Sequence, residues 1–222
     1  KLKLIYKELA SQQTSTFTCN GSGWTTDGAL YWQQLSAVNG KYPFYAVMPA
    51  DASTASGSVA ANQSKGITAS DLMMAYAEPS YKNTIALEFS HLLSMVEVNL
   101  TDGGGMTADE LAGAALTIDG LKTAYTLTAD NSTSAPATAT ASGSVANALK
   151  PFKNGTNFQF IAPAQELAAN GLTMDFTVTI NGEKVSYTYK NDDALTLVAG
   201  KKTVFKITIS KTALLLGDVV VT

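Results

Sequence analysis

The chain holds one histidine. Any relay of hydroxyl, imidazole and carboxylate would have to pass through His91. No Gly-x-Ser-x-Gly turn accompanies it. His91 stands between Phe89 and Leu93 in a strand-like stretch, so a packed or hydrogen-bonded core histidine is expected. One imidazole also excludes a multi-histidine metal site. Cys19 is the only cysteine, which rules out an internal disulfide and a thiolate-ligated zinc. It follows Phe17-Thr18 with no base near in sequence, and is expected to be a buried bystander. Glycoside cleavage needs two carboxyl groups facing one cleft, but Asp109-Glu110 and Asp192-Asp193 are sequence neighbours in turn-like stretches. Asp130, Asp192 and Asp193 could lend oxygens to calcium, yet no D-x-D-x-D-G loop orders them. Gly103 to Gly105 lacks the Lys-Ser/Thr of a phosphate loop. No catalytic residue, cofactor or metal ligand is assigned, and a non-enzymatic protein is expected.

Two features point to binding instead. The first is a group of aromatics at Trp24, Tyr31, Trp32, Tyr42, Phe44 and Tyr45. Adjacent rings in a strand face opposite sides, so some face outward. Trp24, Tyr31 and Trp32 are the candidates to stack on a glycan; core and rim of a folded domain is the alternative. The second is the C-terminal segment, with Ala213, Leu214, Leu215, Leu216, Val219, Val220 and Val221 apolar on both faces. A strand of this kind aggregates if left as a bare edge. It is either buried in its own sheet or added to the sheet of another chain, where backbone pairing and side-chain pockets act together.

The elements that would carry these features are strands. Leu172, Met174, Phe176, Val178 and Ile180 alternate with polar residues, which is the period of a half-buried strand. Asn181-Gly182 follows, suited to the positive φ of a two-residue turn. The return strand then places Glu183, Val185, Tyr187 and Tyr189 opposite Ile180, Val178, Phe176 and Met174, so turn and face pattern agree. Thr203 to Ser210 alternates in the same way. Tyr42 to Met48 is apolar on both faces, as a central strand is. Thr84 to Thr101 reads as one long strand whose buried face switches near His91-Leu92-Leu93, implying a bulge or a crossing between sheets. Thr107 with Glu110 predicts a capped helical turn over Thr107 to Ala114.

Turn signals recur at Asn20-Gly21, Asp27-Gly28, Asn39-Gly40, Asp119-Gly120 and Asn154-Gly155, a spacing that favours an all-β sandwich. The 222 residues suffice for two domains, divided at the glycine run into 1–102 and 103–222. Ala50 to Ser64 and Asp130 to Ala148 are low in complexity. Charged residues are only 15% of the chain, the net charge is −3 and every basic residue is Lys. That excludes an arginine-built nucleic-acid surface. No run of 18 apolar residues occurs. The chain opens at Lys1-Leu2-Lys3-Leu4 inside a strand pattern, and a leader upstream of it is expected.

Taken in order, several stretches resemble the fimbrillin family of Bacteroidetes, subunits of lipoprotein-derived pili. They are Leu30-Tyr31-Trp32, Phe44-Tyr45-Ala46-Val47-Met48-Pro49-Ala50, Ser70-Asp71-Leu72-Met73-Met74-Ala75 and Leu87-Glu88-Phe89-Ser90-His91-Leu92-Leu93-Ser94-Met95-Val96-Glu97-Val98. In the second half they are Phe160-Ile161-Ala162-Pro163-Ala164-Gln165, Leu197-Val198-Ala199-Gly200-Lys201 and Phe205-Lys206-Ile207-Thr208-Ile209-Ser210-Lys211-Thr212. The resemblance implies two tandem transthyretin-like (immunoglobulin-like) β-sandwiches, export as a lipoprotein, an outer-membrane surface location and maturation by cleavage of an N-terminal strand. It implies polymerisation with other pilin subunits, the tail from Ala213 to Thr222 filling a groove near Leu2 to Leu9, Tyr42 to Met48 and Ile85 to Leu100 of the next subunit. A surface adhesin at a fimbrial tip, contacting glycans or proteins, is the alternative.

Overall fold

A computed structural model describes residues 1–8, 11–26, 28–53, 55–128 and 137–222. Expectations resting on Leu9, Asp27, Thr54 and Asp130 to Pro136 lie outside the described residues. The chain is all-β. In order it forms β1 (Leu2–Glu8), β2 (Ser11–Cys19), β3 (Trp24–Thr26), β4 (Phe44–Met48), β5 (Ser56–Ser58), β6 (Met73–Ala77), β7 (Ser90–His91) and β8 (Ser94–Asp102). After helix α1 (Ala108–Ala112) come β9 (Ala115–Asp119), β10 (Leu121–Thr128), β11 (Thr138–Ala146), β12 (Phe152–Asn154) and β13 (Asn157–Ala162). The last are β14 (Gln165–Leu167), β15 (Thr173–Ile180), β16 (Glu183–Lys190), β17 (Leu195–Leu197), β18 (Lys202–Ile209) and β19 (Leu214–Val221).

Backbone contacts divide the chain into two compact units: Lys1–Gly57 with Leu72–Leu92 and Thr126–Ala139, and Ser58–Asp71 with Leu93–Tyr125 and Thr140–Thr222. The glycine run at Gly103 to Gly105, read as a linker, falls inside the second unit. The first unit carries a six-stranded sheet ordered β3-β2-β1-β4-β6-β7. β1 and β4 lie at its centre and are buried on both faces, as the two-sided apolar pattern of Tyr42 to Met48 requires. Leu2, Leu4, Tyr6, Phe44, Ala46 and Ala75 form one buried cluster on this sheet.

In the second unit a five-stranded sheet, β12-β13-β8-β18-β19, accompanies a three-stranded sheet, β16-β15-β9. The β15–β16 hairpin has the expected register, Val178 opposite Val185 and Phe176 opposite Tyr187. Its turn residues Asn181 and Gly182 both have positive φ, 51° and 85°. Side chains from the two sheets meet: the rings of Tyr189 and Phe205 stand 5.9 Å apart edge to face. Across the larger sheet the buried rows run Phe158–Val98–Phe205 and Leu100–Ile207.

The stretch read as one strand from Thr84 to Thr101 is broken where its face switches. β7 belongs to the six-stranded sheet and β8 to the five-stranded one. Leu92 and Leu93 carry the chain from the first unit into the second, so the phase change marks a crossing between sheets. Residues 84–89 lie outside the named strands, yet Ile85, Leu87 and Phe89 are half-buried while Ala86 and Glu88 are exposed. Helix α1 begins at the expected capping box: Thr107 Oγ1 accepts from the Glu110 amide at 3.1 Å, and the Thr107 amide donates to Glu110 Oε2 at 2.8 Å.

Candidate functional site

In the first unit an apolar groove of about 360 Å³ opens beside the six-stranded sheet. One wall is Leu2 and Leu4 of β1, Phe17 of β2 and Trp24 of β3. Leu2 and Phe17 are cross-strand partners and so share a face. Leu30, Ile85, Leu87 and Phe89 complete the lining. No ionisable side chain is among these eight residues. The half-buried side chains of the 85–89 segment keep strand periodicity without a strand partner among the described pairings. Backbone groups in such a segment call for another partner.

Groove lining comes from two of the stretches that the family resemblance implied, near β1 and near Ile85. Tyr42 to Met48 supplies sheet beside the groove rather than lining. Phe17, Trp24 and Leu30 were not anticipated as lining. Phe17 had left a signal as the one large apolar residue in a strand otherwise made of Ser, Gln, Thr and a terminal Cys.

At the other end of the chain, β19 forms the edge of the five-stranded sheet and pairs antiparallel with β18 from Thr203–Val221 to Ile209–Leu214. So apolar a strand was expected either to be buried in its own sheet or to be added to another chain's. Within this chain it is held along one edge while its side chains remain open, Leu215 being 63% and Leu216 40% exposed. The register slips between Phe205 and Ile207, where Gly217 and Asp218 together face the single residue Lys206. A Cβ on Gly217 would come within 3.2 Å of Lys206 Cβ, so glycine permits this close bulge. The slip puts Leu214, Leu216, Val219 and Val221 on the side of buried Ile209, Ile207, Phe205 and Thr203. Beneath Leu216 and Val219 lies a cavity of about 240 Å³, bounded also by Tyr189, Phe205 and the Asp192–Leu195 loop. Burial, with a smaller contribution from the charge of Asp192, raises the pKa of the Tyr189 phenol.

The three glycan-facing candidates occupy different settings. Trp24, half exposed, lines the groove. Trp32 packs edge-on against Tyr42, Phe44 and Tyr81 at 5.3, 6.0 and 5.9 Å. Tyr31 is the one held well into solvent, at 57%. Two sequence expectations are corrected. His91 is exposed on the short edge strand β7, not in a core, because the chain leaves the sheet one residue later. Cys19 is exposed, not buried. It ends β2 opposite Trp24, where the hairpin turns outward. Glu110 is occupied by its cap, and among the described residues no group of three His, Cys, Asp or Glu side chains could hold a metal ion. No described helix is long and apolar enough to cross a membrane.

The fold is all-β, with an apolar groove beside the six-stranded sheet of the first unit and, in the second, a five-stranded sheet in which β8 and β18 run parallel and the edge strand β19 is apolar. A family profile described as fimbrillin-like matches residues 4–222. The chain belongs to the fimbrillin-like family, whose members are structural subunits of fimbriae. Among solved structures, a protein of Bacteroides uniformis described as a candidate cell adhesion protein superposes with a TM-score of 0.69 at 21% identity, covering 99% of this chain and 90% of that one. A similarly described protein of Bacteroides ovatus gives 0.66 at 12% identity over 99% and 86%. The C-terminally truncated tip fimbrial protein Mfa3 of Porphyromonas gingivalis gives 0.60 at 8% identity over 99% and 92%. At these identities the likeness is one of fold. No curated protein matched by sequence. Family membership places the chain in a surface appendage.

Proposed function

We propose that the protein is a structural fimbrial subunit that polymerises by strand exchange, β19 of one copy entering the first-unit groove of the next. One observation carries the reading: a charge-free groove, whose strand-like wall has no strand partner among the described residues, occurs on the same chain as an apolar strand exposed at a sheet edge. Each fully buried Leu or Val contributes about 1.5–3 kcal/mol. Ordering a free eight-residue tail would cost about 1–2 kcal/mol per residue, enough to cancel that gain. Here the tail is already ordered on β18. Exchange trades one ladder for another, and the gain in side-chain burial decides the balance. Tandem sandwiches, export as a lipoprotein and removal of an N-terminal strand belong to the same proposal.

Cys19 supplies the test, because it is the only thiol, it is exposed, and it sits opposite the groove residue Trp24. Polymers formed by the full chain should react with a thiol reagent more slowly than the monomer. A chain lacking residues 213–222 should neither polymerise nor protect Cys19 in its neighbours. Polymers that form equally well without the tail refute the exchange. Exposed Tyr31 favours a second role in surface adhesion. A glycan array on which Tyr31→Ala binds no less than the parent, or on which the parent binds nothing, refutes that role.

A further inference from the structure

We infer that β19 loses its bulge when it enters the groove and inserts its odd-numbered face, Leu215, Gly217, Val219 and Val221, which differs from the face it turns toward its own sheet. The inference rests on the strand-exchange reading and specifies the recognition at that site.

On its own sheet, β19 presents Leu214 and Leu216 on one side of the bulge together with Val219 and Val221 on the other. Even and odd residues share a face only because two residues oppose Lys206. In the groove the neighbouring wall is the 85–89 segment. Its inward residues are Ile85, Leu87 and Phe89, in strict alternation with no phase break. A strand laid beside it keeps its side chains in step only if it alternates strictly too. Ile85 to Phe89 spans about 13 Å at roughly 3.3 Å per residue, the same as Leu215 to Val219.

Without the bulge, β19 has two possible faces. The even one is Leu214, Leu216, Asp218 and Val220. The odd one is Leu215, Gly217, Val219 and Val221. The even face would bring a carboxylate into a lining that holds no cation and whose one side-chain donor is the indole N–H of Trp24 at its half-exposed rim. Burying an unpaired charge is strongly opposed. The odd face is apolar throughout and puts glycine at its centre. Leu215, the most open apolar residue of the stored strand at 63% exposure, thereby changes from solvent-facing to inward-facing, and Leu216 does the reverse.

Synthetic decapeptides with the sequence of residues 213–222, added to the full-length monomer, separate this inference from its premise. Binding is read by calorimetry and by protection of Cys19. The unaltered peptide should bind and shield the thiol. Leu215→Asp and Val219→Asp in the peptide should weaken binding by about a hundredfold or more, the scale expected when a charge replaces a buried aliphatic group. Leu216→Asp and Val220→Asp should weaken it less than about threefold, as substitutions on a face outside the groove. Loss with Leu216→Asp but not Leu215→Asp overturns the odd-face assignment and leaves strand exchange standing. Equal binding by all four variants overturns it too. An unaltered peptide that neither binds nor shields Cys19 overturns strand exchange itself, and the face assignment with it.

Discussion

Gln63 is 2% exposed, and its amide acts as a piece of β-ladder. Strand β12 pairs with β13 only as far as Gln159. Two residues further on, the amide of Ile161 donates to Gln63 Oε1 at 2.9 Å, and Gln63 Nε2 donates to the Ile161 carbonyl at 2.9 Å. The same nitrogen donates to the Ala60 carbonyl at 3.1 Å. The side chain thus replaces a strand that has ended. Gln63→Ala removes three hydrogen bonds, each contributing about 0.5–1.5 kcal/mol net. It also leaves the N–H and C=O of buried Ile161 without partners, a penalty of about 1–3 kcal/mol each. These are two accounts of one loss, and both centre near 3–4 kcal/mol. Against a total stability of about 5–15 kcal/mol, the urea midpoint should fall substantially with an unchanged m-value. Hydrogen exchange at the Ile161 amide should accelerate to the rate of global opening. A loss under about 1 kcal/mol, or an Ile161 amide as protected as before, would show that the glutamine is not the ladder partner.

Three further outcomes are expected. Gly120 has φ +93°, and a Cβ there would lie 1.9 Å from the Gly171 carbonyl oxygen; Gly120→Ala should lower stability by on the order of 3 kcal/mol in urea titration, since both strain and a backbone clash arise. The Thr107 cap, chiefly the backbone hydrogen bond, holds the Glu110 carboxyl below its ordinary value of 4.5. Its stabilisation is therefore complete above the unfolded-state pKa and lost as pH falls through the lowered folded value. Glu110→Gln should flatten the acid limb of stability against pH, and an unchanged limb would refute the link. Gly182→Val, at φ +85°, should cost about 1–2 kcal/mol by thermal or urea unfolding.

Where partners are near in sequence, the residues alone determined the structure. The β15–β16 hairpin was legible because a two-residue turn and two alternating faces independently require one register, and a slip by one residue would turn every apolar side chain outward. The capping box of α1 was legible for the same local reason. The loss of phase near Leu92 signalled either a bulge or a change of sheet, and only the assembled strands decide for the change of sheet. One histidine, one cysteine and no arginine limit which catalytic and metal-binding constellations the chain could build.

Tertiary structure decided what depends on distant neighbours. Alternation over Ile85 to Phe89 specifies an extended chain but says nothing about whether another strand lies beside it, and among the described residues none pairs with it. The apolarity of β19 called for cover, by its own sheet or by another chain, yet its place at the edge of the five-stranded sheet leaves Leu215, Leu216 and the three valines open. Trp24, grouped by sequence with Tyr31 and Trp32, was drawn to the groove by its pairing with Cys19. His91 and Cys19 were expected inside and stand outside, because exposure follows from where a sheet ends. Gln63 carries no mark in a low-complexity stretch; only the early end of β12 gives its amide a role. Period and turn chemistry act over a few residues, whereas an edge, a groove or a missing partner exists only once sheets have been assembled from strands far apart in the chain.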